Sequence, residues 1–195
     1  MRGLLTYITL VILAVPTSAQ TLIDPVIVSD GSTARFLDGD DWVVSSPGFN
    51  DIRGTVPGDL VTDLQVAGLA RDPLYELNWI EDAHLWANNA WTYKKTFTVS
   101  AAEVASLATG GDFLIVFDGA KMSSSVYVNG VSVGNTTNQY LRYSLSIKDS
   151  LKVGENLLSV TFDPIVQTTE GRWMACTGGW DWAGVRGREK KGLGK

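Results

Sequence analysis

The chain has 195 residues, 45% of them hydrophobic, which suits one domain with a sizeable core and excludes a disordered protein. Its formal net charge of −5 argues against nucleic acid and anionic membrane surfaces as partners, because both would repel it, and favours a neutral ligand. The single cysteine, Cys176, cannot form a disulfide within the chain, so the fold must depend on its core.

The N-terminus has the pattern of an export signal. Arg2 supplies a positive charge, an apolar run from Leu4 to Val15 follows, and Thr17-Ser18-Ala19 resembles a cleavage site. The run is shorter than the roughly 20 residues that a membrane-spanning helix requires. We therefore predict a signal peptide over residues 1–19, and a mature protein in a secreted, secretory or lysosomal-type location with no membrane attachment.

The first part of the mature chain predicts short strands and one helix. Residues 33–37 and 42–45 are rich in strand formers and are separated by a turn-forming segment. Residues 59–67 carry apolar side chains at helical spacing, and Gly68 is placed to end that helix. Residues 78–89 are polar and aromatic without a clear period, so we expect a long ordered loop there.

The second part of the chain predicts more strands. Trp91–Val99 alternates apolar and polar residues, and residues 113–117 form a continuous apolar run that suits a buried central strand. Asn129-Gly130 between two valine-rich segments is a strong β-hairpin signal, and residues 156–162 form a last strand. Many short strands with little helix and no βαβ alternation predict an all-β antiparallel sandwich with one short helix.

Near the end of the chain, residues 178–182 read Gly-Gly-Trp-Asp-Trp and indicate a sugar-binding site. Trp180 and Trp182 flank the carboxylate of Asp181, and the two glycines let the backbone come close to a ligand. Aromatic faces pack against the apolar C–H faces of sugar rings, while a carboxylate accepts hydrogen bonds from hydroxyls. The alternative is that both tryptophans are core residues and Asp181 caps a turn, and these residues alone favour neither interpretation.

Other local features concern the surface and the tail. Asn135-Thr136-Thr137 is an N-glycosylation acceptor sequence, which predicts a surface loop at Asn135 in an exported protein. Residues 185–195 are basic and lack any helix or strand period, so we predict a disordered tail, with a truncated or mis-spliced gene model as the leading hypothesis. The sequence shows no metal-ligand spacing, phosphate loop, dinucleotide fingerprint or catalytic motif, so we expect no metal, no cofactor and no catalytic residue.

Several stretches resemble, in order and spacing, the amino-terminal domain of β-mannosidase-like family 2 glycoside hydrolases. They are Thr55-Val-Pro-Gly-Asp-Leu-Val-Thr-Asp-Leu64, Asp72-Pro-Leu-Tyr75, Trp91-Thr-Tyr-Lys-Lys-Thr-Phe97, Val126-Tyr-Val-Asn-Gly130, Gly154-Glu-Asn-Leu-Leu158 and Gly179-Trp-Asp-Trp182. The resemblance implies a jelly-roll β-sandwich of galactose-binding type over residues 20–184. In those enzymes an immunoglobulin-like sandwich follows, and then a TIM barrel with the two catalytic glutamates of a retaining mechanism.

The resemblance also implies roles for the last motif. Trp180 would wall the sugar pocket, Asp181 would accept hydrogen bonds from the hydroxyls of a terminal sugar, and Trp182 would pack to orient the loop. A barrel needs at least roughly 200 residues, so we expect the catalytic domain to be a missing partner in cis and the isolated chain to be inactive on glycosides.

The function that these patterns indicate is a non-catalytic carbohydrate-binding and scaffold domain of a secreted β-glycosidase that acts on terminal β-glycosides. A free-standing module that binds sugar weakly and a purely structural interface domain remain as alternatives. The sequence does not choose between mannose, glucosamine, galactose and glucuronate as the sugar.

Overall fold

Residues 8–14, 33–121 and 123–164, which the computed structural model describes, form strands and short helices. The strands are β1 (Ile8–Ala14), β2 (Thr33–Phe36), β3 (Gly39–Ser46), β4 (Phe49–Val56), β5 (Trp91–Val99), β6 (Gly111–Phe117), β7 (Ser124–Val128), β8 (Val131–Thr136), β9 (Tyr143–Ser146) and β10 (Gly154–Phe162). The helices are α1 (Leu60–Val66), α2 (Asn78–Glu81), α3 (Ala83–Ala87) and α4 (Ala101–Leu107), with a 3₁₀ turn at Lys148–Ser150.

The strands form two sheets in which every pairing is antiparallel. One sheet has the order β2-β1-β6-β9 and the other has the order β4-β3-β5-β10-β7-β8. The longest pairing joins β5 to β10, from Gly154 opposite Val99 to Phe162 opposite Trp91. The predicted antiparallel β-sandwich is therefore confirmed.

The core lies between the inner faces of the two sheets. Successive side chains of a strand point to opposite faces, so every second residue of a strand can enter the core. The buried residues follow this rule and belong to one contiguous cluster: Trp91, Tyr93, Phe97 and Val99 in β5, and Phe113, Ile115 and Phe117 in β6. The alternation in β5 and the apolar run in β6 thus mark the two facing layers, as the sequence predicts.

Helix α1 forms where the sequence predicts it. The Asp59 carboxylate accepts a hydrogen bond from the backbone N–H of Thr62 at 3.0 Å and caps the helix N-terminus. Ala67 ends the helix, and Gly68 follows with φ of +71°, which glycine adopts without the steric cost of a Cβ. The prediction is confirmed to within one residue at each end.

The described residues contain helices that the sequence patterns do not predict. The loop expected over residues 78–89 is wrong, because α2 and α3 occupy most of it. These helices have four and five residues, too few for a hydrophobic period to appear. Helix α4 begins at a capping box, in which Ser100 and Glu103 each accept a hydrogen bond from the other's backbone N–H. The sandwich therefore carries four short α-helices rather than one.

The strand at the N-terminus coincides with the apolar run assigned to the export signal. Ile8–Ala14 pairs with β2 on one side and with β6 on the other. The cleavage site at residues 17–19 and the tail at 185–195 lie outside the described residues, so cleavage and the domain boundaries stay predictions. Among the helices of the described segments, none has the length and apolar character needed to cross a membrane.

The β7–β8 hairpin turns at Asn129-Gly130, and its first turn residue also ties the hairpin to β10. Asn129 has φ of +51° and Gly130 has φ of +82°, as a tight hairpin turn requires. The Asn129 side chain donates to the carbonyl of Ser150 at 2.7 Å and to Asn156 Oδ1 at 2.8 Å, and it accepts from the Leu157 N–H at 3.0 Å. The hairpin prediction is confirmed, and the same asparagine joins neighbouring segments.

We predict that Asn129→Ala lowers the free energy of unfolding by about 4 kcal/mol. The substitution removes three hydrogen bonds, and it also places a residue with a Cβ and no compensating polar group at positive φ, which costs about 1–2 kcal/mol. Asn129→Gly loses the same bonds without the strain and should cost about 1 kcal/mol less than alanine. Urea denaturation of both variants measures the difference, and wild-type stability in both would contradict this account of the turn.

Candidate functional site

A cavity of about 260 Å³ opens between the sheets at the end of β10. Residues from both sheets, from α1 and from α3 line it. Its aromatic residues are Trp42, Trp86, Trp91, Tyr93, Phe117 and Phe162, and its residues with polar side chains include Thr55, Asp59, Asn89, Lys121, Gln139 and Asp163. An aromatic floor under a polar margin is the usual arrangement of a site that binds a ring.

The floor presents carbon rather than polar atoms. The indole N–H groups of Trp42 and Trp91 donate to backbone carbonyl oxygens at 2.8 and 2.9 Å, and both side chains are buried, so they contribute carbon surface and no unpaired N–H to the floor. Tyr93 and Phe162 meet edge to face, with ring centroids 5.8 Å apart. The floor is therefore suited to packing against a flat apolar surface.

The turn before α1 forms one wall of the cavity and requires glycine. A Cβ on Gly58 would lie 2.3 Å from the carbonyl oxygen of Thr55, so no other residue fits this turn without rearrangement. Asp59 then caps α1, and its second carboxylate oxygen accepts from the Thr62 hydroxyl at 2.8 Å. The segment Pro-Gly-Asp, quoted above for the resemblance, thus has a structural explanation at the rim of the cavity.

Beneath this rim, the carboxyl group of Asp63 is buried with only 3% of the residue exposed. It accepts a hydrogen bond from the Tyr93 hydroxyl at 2.7 Å and another from the Thr55 N–H at 3.0 Å. Burial raises the pKa of Asp63 above its ordinary value, although the two hydrogen bonds oppose this effect. Burial and the neighbouring carboxyl group also raise the pKa of Tyr93, so its hydroxyl remains a donor. These bonds attach α1 to β4 and β5.

The two carboxylates that line the cavity already have hydrogen-bond partners. Asp59 caps α1, and Asp163 accepts from the Ser123 hydroxyl at 2.8 Å. Within the described residues, these bonds give both groups a structural role. The described segments also contain no cluster of three or more His, Cys, Asp or Glu side chains that could hold a metal ion.

Gln139 is a buried polar residue of the lining, with 6% of its surface exposed. Its amide is not among the buried side-chain atoms that lack a hydrogen-bond partner in the described part of the chain. Lys121 lies at the exposed margin, and none of the described carboxylates forms an ion pair with it.

Of the site residues predicted from the sequence, the structure describes only Asn135. Trp180, Asp181 and Trp182 lie outside the described residues. Asn135 is exposed and lies in β8, opposite Ser125, rather than in a loop. The predicted glycosylation residue is therefore on the surface of the protein. The loop begins only after Thr136, where β8 ends.

Comparison with known proteins shows which family the chain belongs to. The model of the glycosyl hydrolase 2 galactose-binding domain-like family matches residues 42–189, which is more than half of the chain. The chain belongs to this family. The family match includes the cavity-lining residues from Trp42 to Asp163, and it continues through residues 180–182.

Relatives of this family domain include two glycosidases of different specificity. A probable β-mannosidase of Caenorhabditis elegans is 33% identical over 124 residues, which cover 61% of this chain and 13% of the relative. A β-galactosidase of Bacteroides ovatus is 31% identical over 168 residues, which cover 82% of this chain and 18% of the relative. The chain thus spans less than a fifth of the length of these relatives.

A solved structure supports the same assignment. The β-D-mannosidase of Dictyoglomus thermophilum superposes with a TM-score of 0.56 at 29% sequence identity, over 65% of this chain and 15% of the other. The sandwich of this family domain is therefore shared with a β-mannosidase in fold as well as in sequence.

We predict that Asp63 makes stability fall as pH rises. Its pKa in the folded state is raised above the unfolded value of 3.8, so its contribution is complete below pH 3.8 and is lost as pH rises through the folded pKa. Asp63→Asn removes the titrating group. The free energy of unfolding of wild type minus that of the variant should therefore be larger at pH 3.5 than at pH 7.

Tyr93→Phe provides the matched control for this prediction. It keeps the Asp63 carboxyl group and removes one hydrogen bond that lowers the pKa of that group. The decline of the free energy of unfolding with rising pH should therefore remain or extend to higher pH. Urea denaturation at a series of pH values measures both variants. A constant difference between wild type and Asp63→Asn across the series would contradict the assignment.

Proposed function

We propose that this chain is the non-catalytic, sugar-contacting N-terminal domain of a secreted β-mannosidase-like family 2 glycosidase. The observation that carries the proposal is the single family match over residues 42–189, since it joins the described sandwich and the Gly179–Trp182 motif in one domain. The relatives named as β-mannosidases support the enzyme class. The catalytic groups would lie on polypeptide outside the family match.

In this proposal, Asp181 and Trp180 contact the terminal sugar. The carboxylate accepts hydrogen bonds from two hydroxyls, and the indole packs against the C–H face of the ring. One domain supplies only part of such a pocket, so we expect the isolated chain to bind free sugar with millimolar affinity or weaker.

Residues outside this domain select the sugar in the complete protein. The β-mannosidase of C. elegans and the β-galactosidase of B. ovatus are similar to this chain at 33% and 31% identity. Comparable identity to enzymes of two specificities supports a shared role in binding a terminal hexose. We propose a terminal β-mannoside as the substrate of the complete protein, because β-mannosidases recur among its relatives.

A structural interface is the second candidate function, and one surface favours it. The backbone N–H and guanidinium group of Arg71 donate to the Asp82 carboxylate at 2.9 and 2.6 Å, which closes the intervening segment into a compact loop. This loop exposes Leu74, Leu77 and Ile80 by 75, 56 and 44%. Such side chains are typical of a surface that another domain covers. Docking and sugar contact are compatible in one domain.

We also propose that the protein is exported. The charged start, the apolar run and the small residues at 17–19 support this, and the acceptor sequence at the exposed Asn135 is consistent with it. Cleavage after Ala19 gives a mature N-terminus at Gln20 and removes β1 from between β2 and β6, and N-terminal sequencing of the exported protein checks this. Recovery of an exported chain that still begins at Met1 would contradict cleavage.

We predict that isothermal titration detects millimolar binding of mannose or methyl β-mannoside to the chain. Asp181→Asn should weaken this binding at least about tenfold, because a charged hydrogen bond contributes about 1.5–3 kcal/mol. Asp149→Asn removes one exposed charge elsewhere and should leave binding unchanged. The chain should not hydrolyse nitrophenyl β-mannoside at any sugar affinity.

The outcomes separate the candidate functions. Equal binding by wild type and Asp181→Asn would remove Asp181 from the sugar site. Absence of heat at high sugar concentration would leave the interface function alone, and concentration-dependent association suppressed by Leu77→Glu would then support that function.

A further inference from the structure

The loop between β8 and β9 exposes an aromatic side chain beside the cavity. Gln139, in the middle of this loop, is buried and lines the cavity. The two residues that follow it face solvent, since Tyr140 is 57% exposed and Leu141 is 51% exposed. The loop therefore gives one side chain to the cavity wall and presents two apolar side chains to solvent next to it.

The hydroxyl group of Tyr143 holds the backbone of this loop. It accepts hydrogen bonds from the N–H groups of Thr137 at 3.0 Å and Asn138 at 2.8 Å, and it donates to the carbonyl oxygen of Asn138 at 3.2 Å. The Asn138 side chain accepts from the N–H of Tyr140 at 2.9 Å, and the Asn138 carbonyl accepts from the N–H of Leu141 at 3.3 Å. A backbone ordered in this way before a ligand arrives loses little conformational entropy on binding.

The loop is also attached to the segment that follows β6. Arg142 forms an ion pair with Asp118, and the Thr136 hydroxyl donates to the carbonyl oxygen of Lys121 at 3.2 Å. Lys121 is exposed and lines the cavity. The attachment therefore places an ammonium group, which donates hydrogen bonds, on the segment beside the loop.

The size and chemistry of this surface suit a single sugar ring. Stable protein–protein interfaces bury about 800 Å² on each partner and use roughly 20–30 residues a side, far more than two neighbouring side chains supply. A flat tyrosine ring beside an aliphatic side chain matches the apolar C–H face of one pyranose ring. Lys121, on the neighbouring segment, adds a donor of the kind that sugar hydroxyls accept.

We infer that the ring of Tyr140 is a platform on which one pyranose ring of a glycoside stacks. The choice of a mannoside as ligand rests on the proposed function, but the contact uses only residues that the structure describes and does not require Asp181. One stacked ring that is not enclosed binds weakly, so we expect a Kd of about 10–100 mM for a monosaccharide. Such a contact raises the affinity for a longer glycoside when another part of the protein holds the same molecule.

Nuclear magnetic resonance of the tyrosine rings tests the platform. Methyl β-mannoside should shift the ring signals of Tyr140 along a saturating curve. Tyr75 is the internal reference, because it is 60% exposed on a loop whose described residues do not line the cavity. Glycerol at the same concentrations is the matched control ligand, since it has hydroxyl groups but no ring face. A Tyr140 response no larger than that of Tyr75, or an equal response to glycerol, would overturn the inference.

Variants at residue 140 test the stacking contact itself. They are made in the Asp181→Asn protein, so that saturation transfer from protein to sugar reports on the platform. Tyr140→Ala should weaken the remaining binding roughly three- to tenfold, whereas Tyr140→Trp, which enlarges the flat face, should keep or strengthen it. Tyr75→Ala should leave binding unchanged. Tyr140 is exposed, so its variants should keep the Tm of their parent to within about 2 °C. Equal binding by Tyr140→Ala and its parent would overturn the inference.

Asp181→Asn separates this inference from the proposed function. The shift of the Tyr140 signals should be the same in wild type and Asp181→Asn, and its loss in the variant would overturn the inference while supporting Asp181 as a sugar ligand. If instead the proposed role of Asp181 fails, wild type and Asp181→Asn bind the mannoside equally, and the Tyr140 signals still shift in both.

Discussion

The buried carboxyl group of Asp63 is the interaction on which this end of the sandwich depends. It accepts hydrogen bonds from the Tyr93 hydroxyl and from the Thr55 N–H, and so attaches α1 to two strands of the larger sheet. Burial raises its pKa, which shows that the two bonds do not fully replace the water that it loses. Such a group is retained for the geometry that it imposes, because Thr55, Gly58 and Asp59, beside the attachment, form a wall of the cavity.

This geometry places an aromatic cavity within the domain that the family match covers. The described carboxylates at the cavity are used in capping α1 and in a bond to Ser123, and the indole N–H groups of Trp42 and Trp91 are used in bonds to backbone carbonyl oxygens. The described part of the cavity is therefore held in place by its own hydrogen bonds. In the proposed function, a scaffold held in this way reduces the entropy lost when a sugar binds.

Local sequence patterns predict the parts of this fold that local physics determines. The alternation in β5, the apolar run in β6, the Asn129-Gly130 turn and the capped helix α1 all appear as expected. Strand β4 escapes the same reasoning, because its inward positions include Gly54 and its pairing with β3 contains register shifts. Strand β9 has only four residues, and α2 and α3 are comparably short. The capping box at Ser100 and Glu103 is a signal that could have revealed α4.

The candidate site is a different problem for sequence reasoning. The motif at residues 180–182 is visible in the sequence, but the cavity is assembled from residues between Trp42 and Asp163 that share no local pattern. Tertiary packing alone brings Trp86, Phe117 and Gln139 to one place, so no spacing rule identifies them. Gln139 is recognised as a lining residue only when its position in the structure is known.

The most direct measurement is a crystal structure of the chain with methyl β-mannoside bound. The account predicts that the Asp181 carboxylate accepts hydrogen bonds from hydroxyls of the sugar and that the Trp180 indole packs against its ring. A sugar bound away from both residues, or an Asp181 carboxylate enclosed within the sandwich, would contradict the account.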